Sequence, residues 1–445
     1  MPQGSTKGDQ VRNIPIDAQP LIDFPGPPGR VMPEVPHAEP TFDVFPDRII
    51  DRRDASVRTK DQYGRDLKDS QQIADLIRNE LYEFRKDHSR VGVMCHGRLR
   101  GVDIGHKGNS QGRRGFWPAN TPVSGIDFIG SDASKPATIE SSSFGDNRGG
   151  WDDVYFRGIA FTVEHGGFSQ NLTVFQGSNG GRIGLYDVHM ASDTTAYGGH
   201  GKKRWVRGHG VASWDVRRVT GTGAEEGPFY IDRPGAYDGR PSLFDFQMDD
   251  GFVAGAWPMQ LDSRTKKTFN GFPLYPGPPS AAPLYLTNIK VNVDRQRGKG
   301  GSGITLAGHG GPVVVDACEI GGNTGMFTAW TDIPKGSHLH RDGEYIGDYD
   351  QTNWADEFGD PKGWSHTQVW VRGMKFGGND TGLPSDRPAF MLSGCEMAAI
   401  MACDASGHDK PFLHLHPSGG GPIGNRFAFV NRRLVHDGDV VLIGS

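Results

Sequence analysis

Val154-Tyr155-Phe156-Arg157-Gly158-Ile159-Ala160-Phe161 and Ile183-Gly184-Leu185-Tyr186-Asp187-Val188-His189-Met190 decide the fold. In each, apolar residues alternate with others on both sides of a central Gly or Asp. Period-two alternation argues for strands with one face turned inward. Gly and Asp tolerate left-handed φ and mark a tight bend. Each stretch therefore reads as two short strands meeting at an angle.

The same unit returns as Leu284–Val291 around Asn288, Val313–Ile320 around Ala317, Val369–Phe376 around Gly373 and Phe390–Met397 around Gly394, with weaker copies near Arg218 and Asp250. Gly158 and Asp187 stand 29 residues apart, as do Asn288 and Ala317, while Ala317 and Gly373 are 56 apart, about two steps of 28. Hairpins in an antiparallel sandwich would not return at one fixed period. Strands repeating at this interval without intervening helices predict an all-β, right-handed parallel β-helix, a β-solenoid. Leu172–Gly181, Ile304–Gly311 and Phe412–Gly421 supply a third strand and its glycine turn.

Composition agrees with that reading. The 445 residues include 65 Gly and 30 Pro, only 35% are hydrophobic and mean hydropathy is −0.52, which implies many turns and a thin core. The 24 Phe and 9 Trp, with regular Val and Ile spacing, exclude general disorder. A net charge of −5 offers no basic face for nucleic acid. Cys95, Cys318, Cys395 and Cys403 lie far apart without metal-site spacing, so they read as small buried hydrophobes. The first residues lack a signal-peptide core and no window approaches a membrane span, so a chain made in the cytoplasm is expected.

Residues 1–48 read as an extended, Pro-rich arm that cannot bury a core alone and is ordered only where it lies along another surface, with a floppy tail as the alternative. Residues 49–119 read as a cap. There Asp69 is an N-cap, and Ile73, Leu76, Ile77, Leu81 and Phe84 give one apolar helix face over 69–88. Residues 120–445 are the solenoid proper, with loop insertions at 221–241, 249–283 and 326–366.

The cap helix beginning Asp69-Ser70-Gln71-Gln72-Ile73-Ala74-Asp75-Leu76, the strand Val91-Gly92-Val93-Met94 and the repeats together resemble the pectate-lyase-like right-handed β-helix superfamily, which includes bacteriophage tailspikes and related virion proteins. The likeness spans about 69–445. Many members follow the first strand with Pro-x-Gly-x-Tyr, whereas this chain runs Cys95-His96-Gly97-Arg98-Leu99-Arg100. No catalytic signature of the superfamily matches residue by residue.

Loops leaving a solenoid are free to vary, and here they mix aromatics with acids. Flat rings suit pyranose faces, and paired carboxylates suit acid/base or nucleophilic steps. Glu225, Glu226, Asp232, Asp249 and Asp250 are the candidate catalytic acids, expected to meet on one face. Trp257, Trp330, Trp354, Trp364, Tyr230 and Tyr237 are the candidate glycan-binding aromatics. An elimination would instead draw on Arg233, Arg240 or Arg264. Solvated loop acids or inter-subunit contacts are the plain alternative for all of these. Asp342, Glu344, Asp348 and Asp350 alternate as calcium ligands can, though without EF-hand spacing. The pairs His338/His340 and His414/His416 lack a third ligand, so no metal is assigned.

These features, with the resemblance, set one expectation: a structural protein of a bacteriophage virion. It would be a spike, fibre or capsid or tail decoration, homotrimeric, attached to other virion proteins through residues 1–48. The alternative is a carbohydrate-active enzyme, a polysaccharide lyase or glycoside hydrolase acting as a depolymerase. Neither reading involves a membrane.

Overall fold

The computed structural model describes residues 32–36 and, between 48 and 442, the strands and bends named in this section. Among the described residues there is no helix, and the strands form three long ladders of parallel pairs. The first ladder runs Arg48–Ile50, Val91–Cys95, Val123–Gly130, Trp151–Arg157, Arg182–Tyr186, Ser213–Thr222, Ser242–Val253, Leu284–Thr287, Pro312–Asp316, Gln368–Arg372, Met397–Met401 and Arg426–Val430. The second runs Arg98–Arg100, Ala137–Glu140, Ile159–Thr162, His189–Ala191, then the later halves of Ser213–Thr222 and Ser242–Val253, then Lys290–Val293, Glu319–Gly321 and Lys375–Phe376. The third runs Asp103–Ile104, Ser142–Asp146, Asn171–Gly177, Arg204–His209, Phe229–Asp232, Met259–Asp262, Ile304–Ala307, Phe327–Trp330, Phe390–Ser393, Leu413–His416 and Val441–Leu442.

The chain visits the ladders in turn and pairs each strand with the one a pass later. That pairing is consistent with a β-solenoid. Two small antiparallel pairs stand apart from it, Thr268–Phe269 with Phe272–Pro273 and His338–Arg341 with Glu344–Asp348.

The bends explain the period. Gly158, Asp187, Asn288, Ala317 and Gly373 all have φ between 52° and 64°, as the repeat requires. Arg218 joins them at 51°. Each bend also carries the ladder around the corner. The Asp187 N–H donates to Arg217 O at 3.1 Å, Asn288 N–H to Asp316 O at 3.1 Å and Ala317 N–H to Arg372 O at 2.9 Å. The residue after each bend points inward and is buried, as with Ile159, Val188, Val219, Ile289, Cys318 and Met374. Inward rows of the flanking strands stack directly, so Phe128 and Phe156 lie 5.0 Å apart and 10° from parallel. Phe156, Leu185, Val216, Leu286 and Val371 are all fully buried.

Several sequence expectations shift. Near Asp250 the bend falls earlier: Val216 pairs with Phe244 and Val219 with Phe246, so Asp245 alone stands opposite Arg217 and Arg218. The unit read around Gly394 divides differently. Phe390–Ser393 belongs to the third ladder, Met397–Met401 to the first, and the left-handed residue of that pass is Ala402 at φ 51°. Gly394 itself lies outside the described residues, as does the 69–88 helix. The ladders also begin before residue 120, and third-ladder strands run through each segment read as a loop insertion.

Ala317 holds a left-handed φ at a cost of about 1–2 kcal/mol, which glycine avoids, while glycine adds about 0.4–1 kcal/mol of unfolded-chain entropy. Ala317→Gly should therefore raise stability by about 0.5–1 kcal/mol. Ala317→Val, β-branched at positive φ, should lower it by about 1 kcal/mol or more. Chemical-denaturation midpoints of the two variants check both signs.

Candidate functional site

Two outer faces carry residues with chemistry. On the third ladder, Phe229, Ile231, Ile304 and Leu306 are buried, so alternation puts residues 230, 232, 305 and 307 on the outer side. The register then assembles a row. Asp232 stands beside His209 on one neighbouring strand and Asp262 on the other, and the row continues to Ala307 and Trp330. Two residues earlier, Tyr230 stands between Arg207 and Gln260, followed by Thr305. Neighbouring parallel strands lie about 4.8 Å apart, so the backbones of Asp232 and Asp262 stand one strand spacing apart. Thr305 is buried despite its outer position, so this face is covered at that level.

Three candidates from sequence, Tyr230, Asp232 and Trp330, thus share one face. Asp249 and Asp250 do not join them. They occupy Ser242–Val253 in the stretch where its register against Lys290–Val293 shifts, on the second ladder. Glu225, Glu226, Trp257, Tyr237, Trp354, Trp364, Asp342 and Asp350 lie outside the described residues. Glu344 and Asp348 sit in the small antiparallel pair, opposite Arg341 and His338. His209 was not singled out by sequence, because only register brings it beside Asp232.

The outer face of the first ladder is a second, unanticipated site. Tyr155 lies flat over Gly184, where a Cβ would sit 1.8 Å from its ring. Its centroid is 5.6 Å from that of Tyr186. The Arg157 guanidinium rests 4.6 Å from the Tyr186 centroid, a cation–π distance. The Tyr186 hydroxyl donates to Asp215 Oδ2, while Arg217 Nε donates to Asp215 Oδ1 at 2.8 Å. All four of Tyr155, Tyr186, Asp215 and Arg217 are buried.

Burial pushes the Tyr155 phenol up to about 12. Desolvation, with the Asp215 carboxylate beside it, raises Tyr186 as well. Both phenols therefore stay protonated near neutrality. Asp215 is claimed on one side by a phenol and on the other by a guanidinium, a closed network that holds strands together.

Further along the same outer row, in register with Asp215, the polar groups give way to Leu243, Tyr285, Val314 and Trp370. These lie against the described segment Met32–Pro36: Val35 joins their cluster and Met32 packs against it. Arg217 Nη1 donates to Pro36 O at 3.4 Å, tying the strap Met32–Pro36 to the polar network. Burying Val35 is worth about 1.5–3 kcal/mol, against roughly 1–2 kcal/mol for each backbone residue ordered. The strap is therefore held marginally.

At the bends the charges are exposed and paired across passes. Arg218 donates to both Asp187 oxygens at 2.7 and 2.9 Å, and its hydrogen bonds hold the Asp187 carboxyl below its ordinary range. Arg372 repeats the pairing on Asp316 at 2.9 and 2.5 Å. Such exposed pairs contribute at most about 1 kcal/mol. Burial pushes the Cys318 thiol up to about 12, so it packs as an uncharged hydrophobe.

Among the described residues no group of three His, Cys, Asp or Glu is placed to hold a metal ion, and no helix is long and apolar enough to cross a membrane. Comparison with protein-family models, with curated proteins and with solved structures finds no match to this chain.

Because the Tyr155 phenol ionises near 10 in the unfolded chain and near 12 in the folded one, its contribution is intact below pH 10 and lost as pH rises through 12. Wild-type stability should fall across that window more steeply than that of Tyr155→Phe. Denaturation midpoints collected from pH 9 to 12 make the comparison.

Proposed function

We propose that this protein is a structural component of a bacteriophage virion, a spike, fibre or surface decoration built as a right-handed parallel β-helix of the pectate-lyase-like kind. In this reading it is a homotrimer, capped by the helix over 69–88 and attached to other virion proteins through residues 1–48. The observation that supports it is the set of continuous parallel ladders between Arg48 and Leu442, with Met32–Pro36 laid along an outer face. A stack in which each strand supports the next makes a stiff shaft, and the charged network at Asp215 braces that shaft instead of presenting a free reactive group.

The test is assembly state. Sedimentation equilibrium should give about three times the 48.4 kDa chain mass. Deleting residues 1–31 should abolish co-purification with partner virion proteins while leaving the trimer. A monomer at every concentration, with and without those residues, overturns the reading.

The register of Asp232 with His209 and Asp262 favours a second reading, a carbohydrate-active enzyme working on the third outer face. Acidic residues one strand spacing apart are compatible with the roughly 5–5.5 Å carboxylate separation of a retaining glycosidase, and Tyr230 and Trp330, on the same ladder face, would supply the sugar-stacking rings. A screen of surface polysaccharides should then release reducing ends, and Asp232→Asn or Asp262→Asn should cut the rate at least about 100-fold. Undiminished activity in the double variant removes this pair from the chemistry.

A further inference from the structure

The outer row Leu243, Tyr285, Val314 and Trp370 is unusual for a solenoid face, because alternation should leave it polar and wet. Here all four are buried, and the described segment that lies with them is Met32–Pro36. Pro36 is tied to Arg217, while Arg48–Ile50, twelve residues later, is the fifth strand down the same ladder, paired with Val91–Cys95. Five strand spacings are about 24 Å, and twelve extended residues reach roughly 40 Å. The span therefore lies well within the chain's reach, and among the described contacts the strap meets the body through buried Val35, partly buried Met32 and the hydrogen bond from Arg217 to Pro36 O.

We infer that this row is a docking groove for an extended aliphatic-proline peptide, and that in the assembled protein it receives Met32–Pro36 from a second copy of this chain. The inference rests on the oligomeric reading proposed above. The contacts that Val35 and Pro36 make within one chain are available unchanged on a neighbour, which is the condition for exchanging an element at little cost. Neighbouring bodies in an oligomer present the groove at an effective concentration comparable with that set by a twelve-residue tether. Exchange then turns a marginal intrachain contact into a reciprocal clasp between subunits. Proline at positions 33 and 36 keeps the segment extended in either setting.

The experiment co-expresses two full-length chains. One is untagged and carries Val35→p-benzoylphenylalanine; the other is tagged and otherwise unchanged. After irradiation and purification through the tag under denaturing conditions, the untagged chain should remain covalently attached, with its position 35 linked to peptides containing Tyr285, Val314 or Trp370 of the tagged chain. A tagged chain lacking residues 1–36 presents an unfilled groove, and should capture several-fold more of the untagged chain. If the chains co-purify natively but every cross-link stays within the untagged chain, the exchange is overturned and the oligomer stands. If they do not co-purify at all, the oligomeric reading fails and the exchange falls with it.

Discussion

The structure depends on one hydrogen-bonding device, the left-handed bend whose N–H donates to the carbonyl just before the equivalent bend of the next pass. Asp187 to Arg217, Asn288 to Asp316 and Ala317 to Arg372 are successive instances. A bend of ordinary turn geometry would break the ladder at every corner and leave backbone groups unpaired beside the core. With φ near +50 to +60°, the first ladder passes into the second without a gap, and the following residue drops directly into the interior. The inward stack of phenylalanine, leucine and valine follows from that alignment, since fixed register places like positions above one another.

The same alignment organises the outside. Because most strands stack in constant register, an outward residue meets its counterparts one pass away, and side chains remote in sequence become neighbours. Arg218 pairs with Asp187 and Arg372 with Asp316 by this route. So does the Tyr186–Asp215–Arg217 network, whose tyrosine lies 29 residues from its carboxylate. Gly184 belongs to this logic too: it lacks a side chain where the Tyr155 ring lies down. The row changes character beyond Asp215, from a polar brace to an apolar strip that requires a cover, and Met32–Pro36 provides it.

The proposed site was less legible than the scaffold for a physical reason. Tyr230, Asp232 and Trp330 could be picked out by residue type, but their common face depends on which strands neighbour one another. Asp249 and Asp250 looked equivalent to Asp232 in sequence, yet an irregular register carries them to a different ladder. His209 and Arg207 gave no signal at all, because neither lies near an acid in the chain.

By itself the sequence determined the repeating strand-bend-strand unit, its period and the bends at Gly158, Asp187, Asn288, Ala317 and Gly373, because alternation and turn propensity are local properties. It misread the pass at Phe390–Met401, where a third-ladder strand and the next first-ladder strand together imitate one unit and the true bend falls on Ala402, a residue with no turn signature. Only the tertiary structure decided which passes stand side by side, where Asp245 replaces two residues with one, and that Val35 covers Leu243, Tyr285, Val314 and Trp370. Those outcomes are set by register and by contacts across tens to hundreds of residues, and a residue's own neighbours in the chain carry no record of them.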